Sequence, residues 1–162
     1  MLLLVMGVSG CGKTTIAQRL SKMLNIPLIE ADDFHPPSNI EKMTRGIPLN
    51  DTDRRPWLQR LAEELKKQEH RGAVLACSAL KEKYRDTLRS SISKPLWIIF
   101  LQGDFETIHR RMQLRSDHFM PAHLLQSQFD ALEVPKDAWV YDVEETAAAI
   151  TRKITERIER IK

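Results

Sequence analysis

The length, composition and charge of the chain set the first limits on its structure and function. With 162 residues, of which 42% are hydrophobic and 29% charged, it has the size of one globular domain with a sizeable core. No stretch approaches the roughly 18 apolar residues of a membrane span, and the apolar residues 1–6 lack the basic segment of a secretory signal. The two cysteines form no C-x-x-C pair, which argues against a disulfide scaffold or a thiolate zinc site. We therefore expect a cytoplasmic protein without a membrane partner, and a formal charge of +3 suits small anionic substrates at least as well as nucleic acid.

Short apolar segments alternate with longer amphipathic ones along most of the chain. The run 96–101 is apolar at every position, which is typical of a central strand covered by helices on both faces. The alternation predicts βα units around a parallel sheet, in an α/β fold. The predicted pairs of strand and helix are 2–6 with 14–24, 73–77 with 81–89, 96–101 with 105–114, and 139–143 with 144–162, and a further strand is predicted at 27–29.

The segment 35–70 interrupts this alternation. It begins with the densest Pro, Asn and Asp region of the chain, yet it contains enough helix formers to predict a substrate-covering segment within a single domain, 1–162. Its tryptophan and leucines follow helical spacing, which indicates core packing far more often than ligand stacking. The residues predicted to pack in the core are Trp57, Leu58, Leu61 and Leu65, with Met43 and Met112 as gap fillers.

A phosphate-binding motif, G-x-x-x-x-G-K-[ST], lies between the first predicted strand and the first predicted helix. Its glycines allow the backbone to wrap a phosphate, so that amide N–H groups and the positive end of the helix point at it. Lys13 then reaches the outer phosphates, and Thr14 offers a hydroxyl to Mg²⁺. The predicted ATP-binding residues are Gly7, Val8, Ser9, Gly10, Cys11, Gly12, Lys13, Thr14 and Thr15.

The rest of the sequence narrows the class of P-loop protein. Signalling GTPases read guanine through an N-K-x-D sequence, which the chain lacks, and motor or transport ATPases are normally much longer. The remaining class is the small kinases, in which a short α/β domain closes a lid over ATP and a small acceptor and so excludes water.

Three blocks of sequence resemble the gluconokinase family. The blocks are H-P-x-x-N-x-x-K-M-x-x-G-x-P-L-x-D-x-D-R-x-P-W-L at 35–58, C-S-A-L-K-x-x-Y-R-D-x-L-R at 77–89, and R-x-x-x-R-x-x-H-F at 111–119, the last followed by L-L-x-S-Q at 124–128 and L-E-x-P at 132–135. The resemblance implies transfer of the ATP γ-phosphoryl group to the 6-hydroxyl of D-gluconate by a homodimer. It also implies a three-layer P-loop kinase fold with a central parallel sheet, similar to shikimate and nucleoside monophosphate kinases.

The chain departs from the family pattern in three places. Glu30 stands where the family often has Asp, and Cys11 where Ser is common. The stretch between Pro135 and Val140 is shorter than usual, which leaves the adenine contacts unassigned.

Candidate catalytic residues follow from position and charge. Asp32 lies just past the second predicted strand, where ligands bind in open α/β sheets, so we assign it as the general base for the acceptor hydroxyl. Capping of the following helix is its alternative role, one that Asp33 could also fill. Lys13, Mg²⁺, Arg111 and Arg115 are the expected charge stabilisers, with both arginines on a lid at 111–130. A solvated surface helix is the alternative interpretation of these arginines.

Gluconate is a polyol carboxylate, so its site requires a cation for the carboxylate and hydrogen-bonding side chains for the hydroxyls. Arginine binds carboxylates in a bidentate manner, which favours Arg54 or Arg85 over Lys81 as the anchor. The predicted substrate-binding residues are Asp32, His35, Asn39, Lys42, Arg54, Ser78, Lys81 and Arg85. The five histidines show no H-x-x-x-H or H-E-x-x-H spacing, and no zinc site is predicted.

Two other functions remain as alternatives. A shikimate kinase would carry a triple-glycine substrate loop after the third strand, where this chain has Ser78-Ala79-Leu80-Lys81. A nucleotide-regulated nucleic-acid-binding module could use the basic C-terminal helix. Four glutamates there, however, reduce the positive charge of any face that could bind a nucleic-acid backbone. We therefore expect a small-molecule substrate and no nucleic-acid partner.

Overall fold

A computed structural model describes residues 1–115 and 121–162 as five strands, seven α-helices and one short 3₁₀ helix. The strands are β1 Leu2–Met6, β2 Leu28–Glu30, β3 Ala73–Ala76, β4 Leu96–Gln102 and β5 Trp139–Asp142. The helices are α1 Lys13–Leu24, α2 Pro37–Thr44, α3 Asp51–Lys67, α4 Glu82–Arg89, α5 Phe105–Gln113, α6 Ala122–Ala131 and α7 Ala147–Ile161, and the 3₁₀ helix is Ala31–Phe34. None of these helices combines the length and apolarity needed to cross a membrane.

The five strands form one parallel sheet in the order β2-β3-β1-β4-β5. The central strand β1 pairs through Leu4 with Leu75 of β3 on one side and with Ile98 of β4 on the other. The parallel sheet predicted from the alternation of apolar and amphipathic segments is confirmed. The connection after β1 runs towards β2 and the connection after β3 runs towards β4, in opposite directions along the sheet. A crevice therefore opens at the carboxyl ends of β1 and β3, where ligands bind in such folds.

Helices cover both faces of the sheet, which makes three layers. Leu3 and Val5 of β1 face a cluster built with α1 and α7, whereas Leu2, Leu4 and Met6 face one built with α3 and α4. Side chains alternate between the faces of a strand, so an all-apolar strand feeds two cores at once. Each fully buried large apolar side chain contributes about 1.5–3 kcal/mol relative to an exposed one.

Most of the core residues predicted in the segment 35–70 are confirmed, and one prediction is wrong. Trp57, Leu58, Leu61 and Leu65 are all buried on α3, and Met112 is buried on α5. Met43, in contrast, is 45% exposed. It lies on the eight-residue α2, which buries only Asn39 and therefore rests on the rim of the domain.

The segment 35–70 contains two helices joined by a short connection. Asn50 caps α3 by accepting a hydrogen bond from the Asp53 N–H, and the Asp53 carboxylate accepts one from the Asn50 N–H. This reciprocal capping stabilises the start of a helix. The same carboxylate accepts both Lys42 hydrogen bonds, at 2.8 and 2.9 Å, so the end of α2 is tied to the start of α3.

Candidate phosphoryl-transfer site

The loop between β1 and α1 adopts a conformation that requires glycine. Gly12 has a φ of 95°, in the left-handed region that residues with a side chain rarely adopt. Gly10 has a φ of 79°, and a Cβ there would lie 2.5 Å from Cγ of Met112 on α5. The loop is therefore held against α5 by close backbone packing.

Helix α1 begins directly after this loop and presents positive charge to the space in front of it. Its first turn contains no acidic residue that would offset the positive end of the helix dipole. Lys13 is the first residue of the helix, and its Nζ donates to the Val8 carbonyl at 3.0 Å. Backbone amides, helix dipole and lysine together form an arrangement suited to a polyphosphate.

A cavity of about 460 Å³ lies at the carboxyl ends of β1, β2 and β3. It is the crevice expected from the reversal of strand order. It brings the phosphate-binding loop together with residues that follow the second and third strands. The cavity is lined by Ser9, Gly10, Gly12, Lys13, Thr14, Thr15, Glu30, Asp32, Ala76, Cys77, Ser78, Met112 and Arg115.

The acidic side of the cavity includes a residue that sequence reasoning did not assign. The Thr14 hydroxyl donates to Oε2 of Glu30 at 3.0 Å. Burial raises the pKa of Glu30, and the hydrogen bond from Thr14 opposes that effect. Its position at the carboxyl end of β2, two residues before Asp32, was the signal that could have identified it.

Asp32 reaches the cavity with a side chain that is 88% exposed. The chain just before it is fixed, because Nε1 of Trp57 donates to the Ala31 carbonyl at 2.7 Å. The ring of His35 stacks on Trp57 with the ring centroids 4.2 Å apart. Because the backbone before Asp32 is fixed and its side chain is exposed, the carboxylate can change its orientation to meet an acceptor hydroxyl.

The hydrogen bonds of Asn39 define the tautomer of His35. Nδ2 of Asn39 donates to the Asp53 carbonyl at 2.9 Å and contacts Nδ1 of His35 at 3.3 Å. Because an amide nitrogen only donates, Nδ1 is the acceptor, and the proton of the neutral ring is on Nε2. That atom lies 4.0 Å from Oδ1 of Asp32. Burial lowers the pKa of His35, which favours the neutral ring.

Two predicted polyol contacts are engaged elsewhere in the structure. Asn39 is 2% exposed, and its amide bonds His35 and the Asp53 carbonyl. Lys42 forms an ion pair with Asp53, and the hydrogen bond from Lys42 lowers the pKa of that carboxyl. Neither residue lines the cavity, because both hold α2 on α3.

The prediction that Arg85 could anchor a carboxylate is corrected by its surroundings. The residue is completely buried, and its guanidinium donates to the carbonyls of Ala79, Leu80 and Glu133 at 2.8, 3.2 and 2.9 Å. It also pairs with the Glu82 carboxylate at 2.6 Å. The helical register of α4 turns Arg85 inward, where it organises the loop after β3 instead of facing the cavity.

The remaining cations predicted for the carboxylate flank Tyr84. Nη1 of Arg54 donates to the Tyr84 hydroxyl at 3.3 Å, and the Lys81 ammonium lies 6.0 Å from the ring centroid. The Tyr84 hydroxyl in turn donates to Asp51 at 2.5 Å. Burial and this hydrogen bond raise the pKa of Tyr84 to about 12. Arg54 and Lys81 lie outside the lining of the cavity, whereas Ser78 is part of it.

The two predicted lid arginines share one pocket, but only Arg115 also reaches the main cavity. Arg115 lines the main cavity and, with Arg111, a second pocket of about 120 Å³ on the other side of the loop. The second pocket includes residues after β5, which sequence reasoning did not assign. It is lined by Cys11, Gly12, Thr15, Ile16, Arg111, Arg115, Val143, Glu145, Ala147 and Ile150. Of the predicted lid, residues 116–120, including His118 and Phe119, lie outside the described residues.

The donor set at the cavity fits a hard cation. Within residues 1–115 and 121–162, no group of three or more His, Cys, Asp or Glu side chains is arranged to hold a metal ion. Thr14, Glu30 and Asp32 nevertheless place a hydroxyl and two carboxylates around one space. Mg²⁺ binds such oxygen ligands together with several waters and the phosphates of its substrate, so it does not need a closed cage of protein ligands.

Comparison with known proteins agrees with this geometry. The model of the AAA domain family matches residues 3–121. The thermosensitive gluconokinase of Escherichia coli (strain K12) is 43% identical over 166 residues, which cover 98% of this chain and 88% of that protein. The chain belongs to the gluconokinase family.

Solved structures place this family member among the P-loop kinases. A gluconokinase from Sinorhizobium meliloti 1021 superposes with a TM-score of 0.91 at 42% identity, covering 99% of this chain and 92% of that one. Shikimate kinase from Aquifex aeolicus superposes with a TM-score of 0.61 at 17% identity, covering 98% of this chain and 96% of that one. The second likeness shows a shared fold alone. The predicted three-layer P-loop kinase fold is confirmed.

Proposed function

We propose that the protein transfers the γ-phosphoryl group of ATP to the 6-hydroxyl of D-gluconate, giving 6-phospho-D-gluconate and ADP. The observation that carries this proposal is the single cavity shared by the phosphate-binding loop, Asp32 and Ser78. A donor phosphate on the loop would face an acceptor held at the ends of β2 and β3. The choice of gluconate as the acceptor is supported by the names of the relatives.

The donor side of the proposed reaction is the loop 7–14 with Thr15. Its amides and the start of α1 bind the β- and γ-phosphates, and Lys13 moves from the Val8 carbonyl to the phosphate oxygens. The second pocket, beside Val143 and Glu145, is open to the adenosine end of ATP. In this arrangement Arg115, which borders both spaces, and Arg111 neutralise the charge on the transferring group.

The acceptor side provides proton transfer and orientation. The acceptor oxygen bonds to the γ-phosphorus as the bond from that phosphorus to the β,γ-bridging oxygen breaks, and the hydroxyl proton passes to Asp32. Nε2–H of His35 lies 4.0 Å from this carboxylate and can help to orient it. Ser78 offers a hydroxyl to the polyol. Arg54 or Lys81 binds the carboxylate when the substrate-covering segment 35–70 closes over the acceptor. Thr14 and Glu30 would hold Mg²⁺, which neutralises phosphate charge.

An acceptor panel tests the proposal. Purified protein is incubated with Mg-ATP and, in separate reactions, D-gluconate, other aldonic acids, shikimate and nucleoside monophosphates, and both ADP and the phosphorylated product are measured. D-gluconate is expected to give the highest kcat/KM. A higher value with shikimate, or with any other acceptor of the panel, would reject gluconate as the substrate.

The remaining parts of the proposal concern the state of the protein in the cell. We include a cytoplasmic location, Mg²⁺ as cofactor, assembly as a homodimer, and no membrane or nucleic-acid partner. Light scattering on the purified chain checks the dimer, since a dimer has twice the mass of the 18.7 kDa chain.

A further inference from the structure

Two short segments of the third sequence block have no role in the chemistry described so far. L-L-x-S-Q at 124–128 belongs to α6, and L-E-x-P at 132–135 follows it directly. The two segments contact loops on opposite sides of the cavity. Their contacts indicate a function for α6 in positioning the donor and the acceptor.

Gln128 makes the contact with the donor loop. The Ser9 N–H donates to Oε1 of Gln128 at 2.7 Å, and Nε2 of Gln128 donates to the Ser9 hydroxyl at 3.0 Å. The two hydrogen bonds join residues 119 positions apart. Both ends of one side-chain amide are used, so the contact fixes the position and the orientation of the loop around Ser9.

Glu133 makes the contact with the loop on the acceptor side. Its N–H donates to the Leu80 carbonyl at 2.8 Å, its carboxylate accepts from the Glu82 N–H at 2.8 Å, and its carbonyl accepts from Arg85. The loop held in this way includes Ser78, which lines the cavity. It also includes Ala79 at a φ of 42°, a conformation that non-glycine residues keep only when their surroundings impose it.

Helix α6 itself is anchored to the core of the protein. Leu125 is fully buried in the core cluster on the α1 face of the sheet. Phe129 packs edge-on against Phe105 of α5, with the ring centroids 5.9 Å apart. Because α6 is fixed to the core and its C-terminal end is bonded to both loops, that end cannot shift without breaking one of these contacts.

We propose that Gln128 is a positioning residue for phosphoryl transfer, and that the segment 128–133, the end of α6 and the residues after it, is a fixed strut that sets the distance between the donor loop and the acceptor loop. Gln128 holds Ser9 on one side, and Glu133 holds the loop from Leu80 to Glu82 on the other. The inference rests on the proposed function. An error of about 1 Å in the approach of the reacting atoms costs about 10²-fold in rate, so loss of the strut contact lowers kcat much more than it weakens ATP binding.

Gln128→Met tests this proposal, because methionine keeps the length of the side chain and removes both hydrogen bonds. We expect kcat with gluconate to fall about 10- to 100-fold, with the KM for ATP changed less than about 3-fold. Gln126→Met is the matched control. Gln126 lies on the exposed side of the same helix, and its Nε2 donates to Oδ1 of Asp130, away from both loops, so wild-type kinetics are expected.

Ser9→Ala provides a second variant that leaves α6 unaltered. It removes the contact from Nε2 of Gln128 and retains the Ser9 N–H bond to Oε1. We expect Ser9→Ala to lower kcat less than Gln128→Met does. In the double variant, the fold-reduction in kcat should be smaller than the product of the two single fold-reductions.

The outcomes separate this inference from the proposed function. If the wild-type protein phosphorylates gluconate and Gln128→Met keeps the wild-type kcat, the strut is rejected and the function stands. A rise in the KM for ATP at unchanged kcat also overturns it, since it would make Gln128 an ATP-binding residue only. If the wild-type protein fails to phosphorylate gluconate, the proposed function is rejected first.

Discussion

The proposed donor side of the cavity is built mainly from backbone groups of one loop, whereas the proposed acceptor side is built from side chains of four different segments. The loop 7–14 owes its shape to glycines and to its place between β1 and α1. The acceptor side instead depends on how α2, α3, α4 and the chain after β2 pack together. Many of its polar side chains bond each other, as in the pairs of Lys42 with Asp53 and of Arg54 with Tyr84.

A site built from backbone groups can therefore be predicted from a short motif, whereas a site built from side chains depends on helix register and on tertiary contacts. Four experiments, ordered from the largest expected effect to the smallest, test this comparison. The first removes the lysine of the phosphate-binding loop.

Lys13→Ala is expected to lower kcat/KM by about 10³-fold or more, because the positive charge that stabilises the transferring phosphoryl group is lost. Steady-state kinetics with saturating gluconate measure the effect. Lys22→Ala is the matched control, since Lys22 is exposed in the last turn of the same helix and should leave the rate unchanged. A Lys13→Ala protein with substantial turnover would remove the lysine from the donor site.

Asp32→Asn is expected to lower kcat by about 10²-fold while ATP affinity changes little, because asparagine cannot take the proton of the substrate hydroxyl. Rates at saturating substrates and ATP binding by calorimetry separate the two quantities. Asp33→Asn, one residue along in the same 3₁₀ helix, serves as the control. Wild-type kcat in Asp32→Asn would exclude this residue as the base.

Arg54→Met and Arg85→Met distinguish a binding arginine from a structural one. Loss of a charge-assisted hydrogen bond to the substrate carboxylate, worth about 1.5–3 kcal/mol, should raise the KM for gluconate about 10- to 100-fold in Arg54→Met. Arg85→Met leaves buried carbonyls without a donor and is expected to lower the free energy of unfolding by about 3–5 kcal/mol. Denaturant unfolding and gluconate saturation curves are measured on both variants. The reverse pattern would make Arg85 the carboxylate anchor.

The pH dependence of stability probes the outer edge of the acceptor side. Hydrogen bonds from Lys83 and Tyr84 lower the pKa of Asp51 from 3.8 to about 2. A carboxyl group whose pKa is lower in the folded state stabilises the protein at pH values above its pKa in the unfolded chain. This contribution disappears as the pH falls towards about 2. The difference in unfolding free energy between wild type and Asp51→Asn should therefore be constant above about pH 5 and shrink on further acidification. A difference that grows on acidification would contradict this account of Asp51.

The parallel sheet and the phosphate-binding loop could be predicted from the sequence because both depend on local patterns. Apolar runs define buried strands, and G-x-x-x-x-G-K-[ST] defines its own turn and helix start. Asp32 could be placed at the cavity in the same way, because the carboxyl end of a strand is a position that the sequence identifies.

The inward turn of Arg85 could not be predicted, because it depends on the register of α4 against the loop after β3 and on the Glu133 carbonyl 48 positions away. The bonds of Asn39 and Lys42 to Asp53 could not be predicted for the same reason, since Asp53 belongs to a different helix. The pocket beside Val143 and Glu145 combines the end of β5 with the start of α1, and no local motif marks it. Arguments from residue type alone had treated each of these polar residues as available to a ligand.

The transfer of a labelled phosphoryl group tests the central claim most directly. ATP that carries ¹⁸O on its γ-phosphoryl oxygens is incubated with D-gluconate and the protein, and mass spectrometry and ³¹P NMR locate the label. The account predicts that the labelled group appears on O6 of gluconate, with little labelled inorganic phosphate. Label found mainly in inorganic phosphate, or on another oxygen of gluconate, would contradict the claim that the loop and the acceptor residues share one cavity for transfer to the 6-hydroxyl.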